Sequence, residues 1–515
     1  GEAALRAKKA GFDAVELIGS AGYIIPQFLS PLTNEMDDEY GGDLKARTRF
    51  GVECIQAIRD KIGDEYPLIM RISGDDMMPG GLTYKDVRVY TPIFVEAGVD
   101  MFNVTGGWHE SRVPQITMNV PRGNYVWLAE NVKEAVDVPV MACNRITDPL
   151  LAEQILLDGK ADFVGLGRAL ICDPEWARKA KEGRFREIRQ CTGCNQGCFD
   201  HVFALTPVEC LCTAAASREA EYQIKPAPKR KKILIIGGGP AGMEAARVAK
   251  LRGHDVTLYE KTYTLGGQLN LAAAPQDRRE FKNLVDYLSY QMDLLGINVV
   301  LGREVTPEVV KELKPDVVIV AAGGSPLVPD IPGVDGPNVV ISWDVLAGEV
   351  AVGKKAVVVG GGGVGCETGL YLTDRGSITP EQMMFLVNFG VLDLETAFDM
   401  ARKTRDVTIV EMLDRMGADI SRTCRWTILK TLSMRGVQML TNAKVANITD
   451  KGVVLENGDI LEADTVVIAV GTVPNNELID QLEGLAPEIY TIGDCVEPRK
   501  AFEAVHEGAE IAHKI

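Results

Sequence analysis

The sequence has no apolar run long enough for a membrane span and no excess of basic charge. None of its 515 residues lies in a stretch of the ~18 consecutive apolar side chains that a transmembrane helix needs. Lysine and arginine number 55 against 72 acidic residues, a net charge of −17 that repels nucleic-acid phosphates. With 46% hydrophobic and 25% charged residues, disordered and collagen-like classes are also excluded.

Histidine is scarce, with five residues, and the chain does not start with methionine. The opening at Gly1 reads as the interior of a domain, so we expect the natural N-terminus upstream. The length points to three or four domains.

Eleven cysteines, an odd count with five of them between 191 and 212, favour a reducing, cytoplasmic setting and a metal site rather than disulfides.

The first part of the chain, residues 1–186, alternates short β-branched runs with amphipathic helical stretches. This alternation predicts βαβ units and a parallel sheet. Polar side chains follow the runs directly, as they do at the active-site face of a (β/α)8 TIM barrel. Because a barrel needs eight strands, we expect an N-terminally incomplete barrel that lacks about three upstream units. The five predicted strands lie at 14–18, 68–72, 101–105, 138–142 and 163–167.

A glycine-rich turn follows the basic joint at 225–232 and lies between a buried β-run and a helix. Its glycines would let the backbone approach a pyrophosphate at the helix N-terminus, and an acid closing the next strand would take a ribose hydroxyl. A later Gly-Gly-Gln and a distant Gly-Asp complete a pattern that favours FAD. The residues of this prediction are Gly237, Gly239, Gly242, Glu260, Gly267, Gln268 and Asp494.

A second copy of the turn predicts a pyridine-nucleotide site, so two Rossmann-like domains are expected. Its acid, Glu411, ends the strand DVTIVE with no arginine directly beside it, which favours NADH over NADPH. A helix-like insertion at about 375–404 separates turn and acid. It could be a partner-docking face, although a packed helix pair is the commoner explanation. The glycines of this turn are Gly360, Gly362 and Gly365.

Three cysteines at Cys-x-x-Cys-x-x-x-Cys spacing, with a fourth some way downstream, suit an iron–sulfur cluster. Zinc is the rival, but zinc sites tend to have two separated Cys-x-x-Cys pairs. Alternatively, the cluster has only a structural role and stabilises the connection between two domains. Cys212 is an ambiguous candidate for the fourth ligand. The length of the gap after the third cysteine favours Cys210 instead. The predicted ligands are Cys191, Cys194, Cys198 and Cys210.

Two side chains after the predicted barrel strands could act on a substrate. Tyr23 follows the first run, and His109 follows the third in the segment GGWHESR. A phenol can donate a proton, and an imidazole can orient or polarise a carbonyl. Position alone leaves each residue equally open to a core-filling role.

These residues, taken together, resemble the flavin- and iron–sulfur-containing 2,4-dienoyl-CoA reductases of bacteria, within the old yellow enzyme-like group. The resemblance extends in order along nearly the whole chain. The matching segments are VELIGSAGYI (15–24), YGGD (40–43), VTGGWHESR (104–112), NRITDP (144–149), GRAL (167–170), CTGCNQGCFDHVF (191–203), GGGPAGMEAA (237–246), LGGQ (265–268) and YTIGDC (490–495).

The resemblance implies an FMN barrel, a [4Fe–4S] cluster, and FAD and pyridine-nucleotide domains. It implies that Tyr23 is the proton donor and His109 its partner. It also implies FMN contacts from Arg71, Arg145, Gly167 and Arg168.

The expected function is NADH-dependent reduction of an unsaturated acyl-CoA, with electrons passing from FAD through the cluster to FMN. An amine dehydrogenase of the trimethylamine type and an electron-transfer subunit of a larger redox complex are the alternatives. A homo-oligomer or redox-partner subunits are possible assemblies. The predicted domains are a partial barrel (1–186), an iron–sulfur segment (187–224), an FAD domain (228–350 and 466–515) and an NAD(H) domain (351–465).

Overall fold

Strands and helices alternate through the computed structural model, which describes residues 1–402 and 405–515. Two compact units make up the chain, residues 1–170 and residues 171–515. Across the described ranges, no helix has both the length and the apolar character that a bilayer crossing requires. The finer division into four domains stays a prediction.

The first unit contains a parallel sheet of five strands that pair side by side in chain order. The predicted barrel-type α/β fold is confirmed, and the third strand has the predicted bounds. Its elements are α1 (Glu2–Lys9), β1 (Val15–Gly19), α2 (Ile24–Leu29), α3 (Leu44–Arg47), α4 (Arg49–Ile62), β2 (Leu68–Ser73), α5 (Tyr84–Glu96), β3 (Met101–Thr105), α6 (Val126–Lys133), β4 (Val140–Ala142), α7 (Pro149–Leu157), β5 (Phe163–Val164) and α8 (Gly167–Cys172), which runs into the second unit.

Local sequence explains where these elements begin and what they bury. Helix α7 begins where the Asp148 side chain accepts a hydrogen bond from the Leu150 amide, with Pro149 in the first turn. Helix α4 buries Ile55, Ile58 and Ile62, which recur every three or four residues along one face. Burial of such a stripe contributes about 2 kcal/mol per side chain. The periodic apolar face therefore fixes which side of the helix faces the interior, where it packs on neighbouring helices such as α1.

The second unit contains two parallel five-stranded sheets and two small antiparallel ones. Its elements are α9 (Trp176–Lys181), α10 (Phe199–Phe203), β6 (Lys232–Ile236), α11 (Pro240–Leu251), β7 (Asp255–Glu260), α12 (Gln268–Ala272), α13 (Phe281–Leu294), β8 (Asn298–Leu301), α14 (Pro307–Leu313), β9 (Val317–Val320), β10 (Gly324–Pro326), β11 (Val339–Ile341), α15 (Ser342–Ala347), β12 (Lys355–Val359), α16 (Gly363–Asp374), α17 (Pro380–Asn388), α18 (Leu394–Arg402), β13 (Asp406–Val410), α19 (Arg422–Met434), β14 (Gln438–Leu440), β15 (Val445–Thr449), β16 (Gly452–Leu455), β17 (Ile460–Glu462), β18 (Thr465–Ile468), β19 (Thr472–Pro474), α20 (Glu477–Gln481), β20 (Glu488–Thr491) and α21 (Ala501–Lys514).

The two large sheets confirm the prediction of two Rossmann-like folds. One has the strand order β20-β9-β6-β7-β8 and the other β11-β18-β12-β13-β14, with parallel pairing throughout both. In each sheet the strand before the glycine turn is central and buries all but its first residue. Such continuous burial is expected of parallel strands covered on both faces.

The predicted insertion at 375–404 contains the helix pair α17 and α18, which pack on each other. Helix α17 begins with a capping box between Thr379 and Gln382. Phe385 and Phe389 are 58% and 71% exposed. Residues 403 and 404 of the predicted insertion lie outside the described residues. The strand pairing of β12 with β13 continues without interruption across this insertion.

Candidate flavin, nucleotide and cluster sites

Tyr23 and His109 lie together after β1 and β3. Their ring centroids are 5.4 Å apart and the rings are nearly perpendicular. The His109 amide donates to the carbonyl of Ala21 at 3.3 Å, and the Ala21 amide donates to the Ser73 hydroxyl at 3.0 Å. Both rings are exposed. The structure therefore brings the two predicted reactive groups into one place at the carboxyl edge of the sheet.

The loop that carries His109 is anchored by Asp76, a residue that the sequence reading did not select. The Trp108 amide donates to the Asp76 carbonyl at 3.1 Å. The Asp76 carboxylate accepts from the Ser30 hydroxyl at 2.9 Å and from the Leu82 amide at 2.8 Å. Burial raises the pKa of Asp76 to about 6 in spite of these donors. Through its carboxylate and its backbone carbonyl, Asp76 thus connects the segments that contain Ser30, Leu82 and Trp108.

Arg71 is the first in a series of polar side chains that contact one another across the sheet. Its guanidinium pairs with the Glu16 carboxylate at 2.9 Å, and Glu16 also accepts from the Asn103 amide nitrogen at 2.7 Å. The Cys143 thiol donates to the Asn103 side-chain oxygen at 2.6 Å, and burial raises the pKa of Cys143 to about 11. Within the described residues, the buried Nε of Arg71 has no hydrogen-bond partner. A buried donor of this kind fits an acceptor oxygen of FMN.

The other predicted FMN contacts occupy the ends of β4 and β5. Arg145 is buried and has a positive φ of 58°, and its Nε donates to the Val120 carbonyl at 3.0 Å. Gly167 begins α8, where a Cβ would meet nothing within 4 Å. Arg168 follows in the same turn. The open space at Gly167 fits a phosphate, and the roles of these three residues stay predictions.

The first glycine turn has the close contacts that its sequence predicts. A Cβ at Gly242 would overlap the carbonyl oxygen of Gly237, so only glycine lets α11 approach the strand so closely. At Gly239, the residue directly before α11, a Cβ would meet no atom within 4 Å. The Glu260 carboxylate accepts from the Gly238 amide at 2.7 Å. An open helix N-terminus beside an acid fits the pyrophosphate and ribose of FAD.

The remaining predicted FAD residues converge on the same turn. Gly267 packs against it so closely that a Cβ there would lie 3.2 Å from the Gly239 Cα. The Gln268 amide nitrogen donates to the Asp494 carboxylate at 2.9 Å. Burial raises the pKa of Asp494. Segments far apart in the chain therefore form one cradle, and their contacts with FAD stay predictions.

The second glycine turn repeats this construction. A Cβ at Gly365 would overlap the carbonyl oxygen of Gly360, and the Glu411 carboxylate accepts from the Gly361 amide at 2.7 Å. Gly362 is the residue before α16, in the position that Gly239 has before α11. The structure thus places the predicted acid, Glu411, beside its turn despite the intervening insertion.

One carboxylate distinguishes the second turn from the first. Asp419 accepts from the Gly363 amide with both oxygens, at 2.8 and 3.0 Å. A Cβ at Gly362 would lie 3.4 Å from the same carboxylate. The N-terminus of α16 is therefore already bonded to an acidic side chain at the point where a nucleotide phosphate would approach. Sequence reasoning missed Asp419, which lies in an irregular loop with no motif.

The four predicted cluster ligands are neighbours in the second unit. Burial, followed by the charges of Cys210, Cys191 and Cys198, raises the pKa of Cys194, so the other three thiols lie within electrostatic reach of Cys194. Cys191 and Cys194 are each 8% exposed. All eleven cysteines lie in the described ranges and are free thiols. Four neighbouring thiols, two of them buried and two half-buried, are the donor set that an iron–sulfur cluster takes.

Two further cysteines adjoin the fourth ligand. The sulfur atoms of Cys172, Cys210 and Cys212 all lie within 4.8 Å of one another. Cys212 was an ambiguous candidate, and Cys172 was not among the predicted ligands. Cys172 is buried, and the end of α8 brings it beside the cysteine segment. Because Cys172 lies outside that segment in the sequence, cysteine spacing did not predict the contact.

The chain matches two family models that together cover most of its length. Residues 1–187 match the NADH:flavin oxidoreductase / NADH oxidase family, and residues 231–509 match the pyridine nucleotide-disulphide oxidoreductase family. The chain belongs to these flavin-dependent oxidoreductases. The match confirms the resemblance inferred from the motifs, and it shows that the protein is an enzyme with FMN-binding and FAD/NADH-binding domains.

Relatives and a solved structure agree with this membership. The chain is 47% identical to a metal reductase of Desulforamulus reducens and 39% identical to an NADH oxidase of Thermoanaerobacter brockii. These matches cover all of this chain and 78% and 76% of the relatives. A 2-naphthoyl-CoA reductase in complex with 2-naphthoyl-CoA superimposes with a TM-score of 0.91 at 34% identity, covering 100% of this chain and 75% of that one.

Proposed function

We propose that this oxidoreductase uses NADH to reduce a carbon–carbon double bond conjugated to the thioester of an acyl-CoA. The observation that carries the proposal is the contact between Tyr23 and His109 at the carboxyl edge of the flavin domain. The likeness to a structure solved with an aromatic acyl-CoA supports the thioester class.

The chain's own residues supply the proton and orient the substrate. When bound, FAD and the cluster supply electron transfer from NADH to FMN, which supplies hydride chemistry. Tyr23 holds a proton on its phenol oxygen for the α carbon of the substrate. His109 lies edge-on to that ring, where its imidazole can donate a hydrogen bond to the thioester oxygen and stabilise enolate charge. Arg71 and Arg145 are the cationic donors proposed to hold FMN.

The cytoplasm is the compartment that this chemistry favours. A cluster held by cysteine thiolates needs those thiols free, and all eleven cysteines in the described ranges are free. The CoA thioester proposed as substrate is consistent with the same setting.

Replacing Tyr23 by phenylalanine tests the proton donor. The ring and its contact with His109 remain while the acidic proton is lost, so enoyl-CoA reduction should fall by about 10²–10⁴-fold. Reduction of FAD by NADH should hardly change, because the nucleotide turns lie in the other unit. Stopped-flow absorbance and steady-state turnover with a 2-enoyl-CoA would measure the two steps separately.

Tyr84→Phe is the matched control, because Tyr84 lies on α5 of the same unit and packs edge-on against Trp127. It should leave turnover unchanged. If Tyr23→Phe also retains full turnover, Tyr23 is a packing residue and the proposed chemistry is wrong.

Replacing Cys194 by serine tests the cluster. The unaltered protein should contain about four iron and four sulfide per chain. The variant should lose electron transfer from FAD to FMN while NADH still reduces FAD. One zinc per chain without sulfide in the unaltered protein would contradict the iron–sulfur assignment.

A further inference from the structure

Four polar side chains from neighbouring strands lie on one face of the first sheet. Ile18 is the register partner of Arg71, and Glu16, two residues earlier in β1, shares its face. Arg71 is in turn the register partner of Asn103 on β3. Cys143 directly follows β4, the next strand of the sheet. The strand register therefore brings these side chains together from four consecutive strands.

Glu16 is the group on which their contacts converge. Its Oε1 lies 2.9 Å from Nη2 of Arg71, and Asn103 donates from Nδ2 to its Oε2 at 2.7 Å. Asn103 is 4% exposed, and its side-chain oxygen accepts from the Cys143 thiol at 2.6 Å. Both carboxylate oxygens of Glu16 are therefore bonded, and Asn103 is itself held by a second bond.

Arg71 is bonded at one nitrogen and open at another. Its Nη2 meets Glu16, whereas its buried Nε has no hydrogen-bond partner among the residues that the structure describes. The guanidinium is planar, so the bond at Nη2 constrains the direction in which Nε donates. Since buried N–H groups are nearly always hydrogen-bonded, this nitrogen fits an acceptor atom of FMN, the cofactor of this domain.

The carboxylate also changes the charge that a bound flavin would meet. An unpaired guanidinium favours the reduced flavin, because reduction adds negative charge to the ring system. The carboxylate of Glu16, 2.9 Å from Arg71, offsets that positive charge. A flavin that is harder to reduce is the stronger hydride donor once it has been reduced, which suits reduction of a carbon–carbon double bond.

We propose that Glu16 is a positioning residue that holds the Arg71 guanidinium for FMN and, by offsetting its charge, lowers the reduction potential of the bound flavin. This proposal rests on the FMN contact proposed above for Arg71. It adds to that contact a residue that acts through Arg71.

The test is a potentiometric titration of the holoenzyme followed by flavin absorbance, with FMN-depleted protein titrated in parallel to separate FMN from FAD. Glu16→Gln retains the side-chain volume and loses the charge. It should raise the FMN potential through an about tenfold shift in the ratio of reduced to oxidised flavin, or about 30 mV for a two-electron couple. Glu16→Asp retains the charge on a shorter side chain, so it should restore most of the potential while weakening FMN binding.

Glu53→Gln is the matched control, because Glu53 pairs with Arg49 at 3.1 Å on α4 of the same unit. It should change neither the potential nor the affinity for FMN. If Glu16→Gln does not fold, Asn103→Leu keeps the test open, since it removes the bond to Glu16 and leaves both charges. Its dissociation constant for FMN should rise about fivefold, the worth of one hydrogen bond, at an unchanged potential. Quenching of FMN fluorescence on addition to FMN-depleted protein measures that constant.

An FMN potential that is unchanged or lower in Glu16→Gln, at full FMN content, would overturn this inference, as would an unchanged dissociation constant in Asn103→Leu. Arg71→Ala separates this failure from failure of the proposed FMN contact. If Arg71→Ala leaves both the potential and the dissociation constant unaltered, the contact between Arg71 and FMN is wrong. If it alters them and Glu16→Gln does not, only the role of Glu16 is wrong.

Discussion

The two glycine turns of the second unit have the same backbone construction but differ at one side chain. In both, a carboxylate accepts from the second glycine amide at 2.7 Å: Glu260 at the end of β7, and Glu411 directly after β13. The N-terminus of α11 is open at Gly239, whereas that of α16 is bonded to Asp419. The open turn suits a cofactor that stays bound, and the bonded turn suits a nucleotide that exchanges.

The largest effect is expected from breaking each turn separately. Gly242→Ala and Gly365→Ala each place a Cβ on a carbonyl oxygen, and overpacking of this kind costs about 3 kcal/mol. Gly242→Ala should purify without FAD, whereas Gly365→Ala should retain FAD and lose reduction by NADH. Flavin absorbance and urea denaturation would measure both effects. Loss of FAD from Gly365→Ala would show that the turns do not act independently.

The preference for NADH over NADPH is the next test of the difference between the two glycine turns. Glu411 lies where a ribose hydroxyl is expected, and a 2′-phosphate there would meet a like charge. We expect NADH to exceed NADPH by about 10²-fold in kcat/KM, and Glu411→Gln to reduce that ratio. Glu260→Gln, the matched change in the other turn, should leave the ratio unaltered. A kcat/KM for NADPH equal to that for NADH would contradict the role of Glu411.

The smallest effect concerns Asp419. Its carboxylate competes with nucleotide phosphates for the Gly363 amide, so Asp419→Asn should lower the KM for NADH about fivefold at similar kcat. The effect should shrink as salt screens the charge. Asp414→Asn, in the same loop, serves as the control in steady-state kinetics. A KM that rises in Asp419→Asn would mean that the side chain assists binding instead.

Residues within short repeating patterns were predictable, and residues that join distant segments were not. The alternation of apolar runs predicted β3 at its observed bounds, and glycine spacing predicted both turns, because each depends on local backbone geometry. Glu411 was identifiable despite the insertion because the strand DVTIVE ends with it. The proposed contacts of these residues with cofactors remain to be tested.

Cys172, Asp76 and Glu16 escaped prediction for a shared physical reason. Each makes its contact through tertiary packing, and none was selected from its local sequence. Cys172 reaches Cys210 only because α8 ends beside the cysteine segment. Glu16 reads as one polar residue inside a strand, yet the pairing of β1 with β2 brings it next to Arg71. Spacing along a chain contains no information about such neighbours.

The helix pair α17–α18 enters the second nucleotide fold at the connection between α16 and β13. Since α16 returns the chain from the glycine turn, this connection lies at the opposite edge of the sheet from that turn. The register of β12 with β13 is continuous from Lys355–Asp406 to Val359–Val410. The fold thus has a junction where evolution can lengthen the chain without redesigning the nucleotide site. The same junction is a practical place to graft a reporter domain while leaving the nucleotide-binding turn intact.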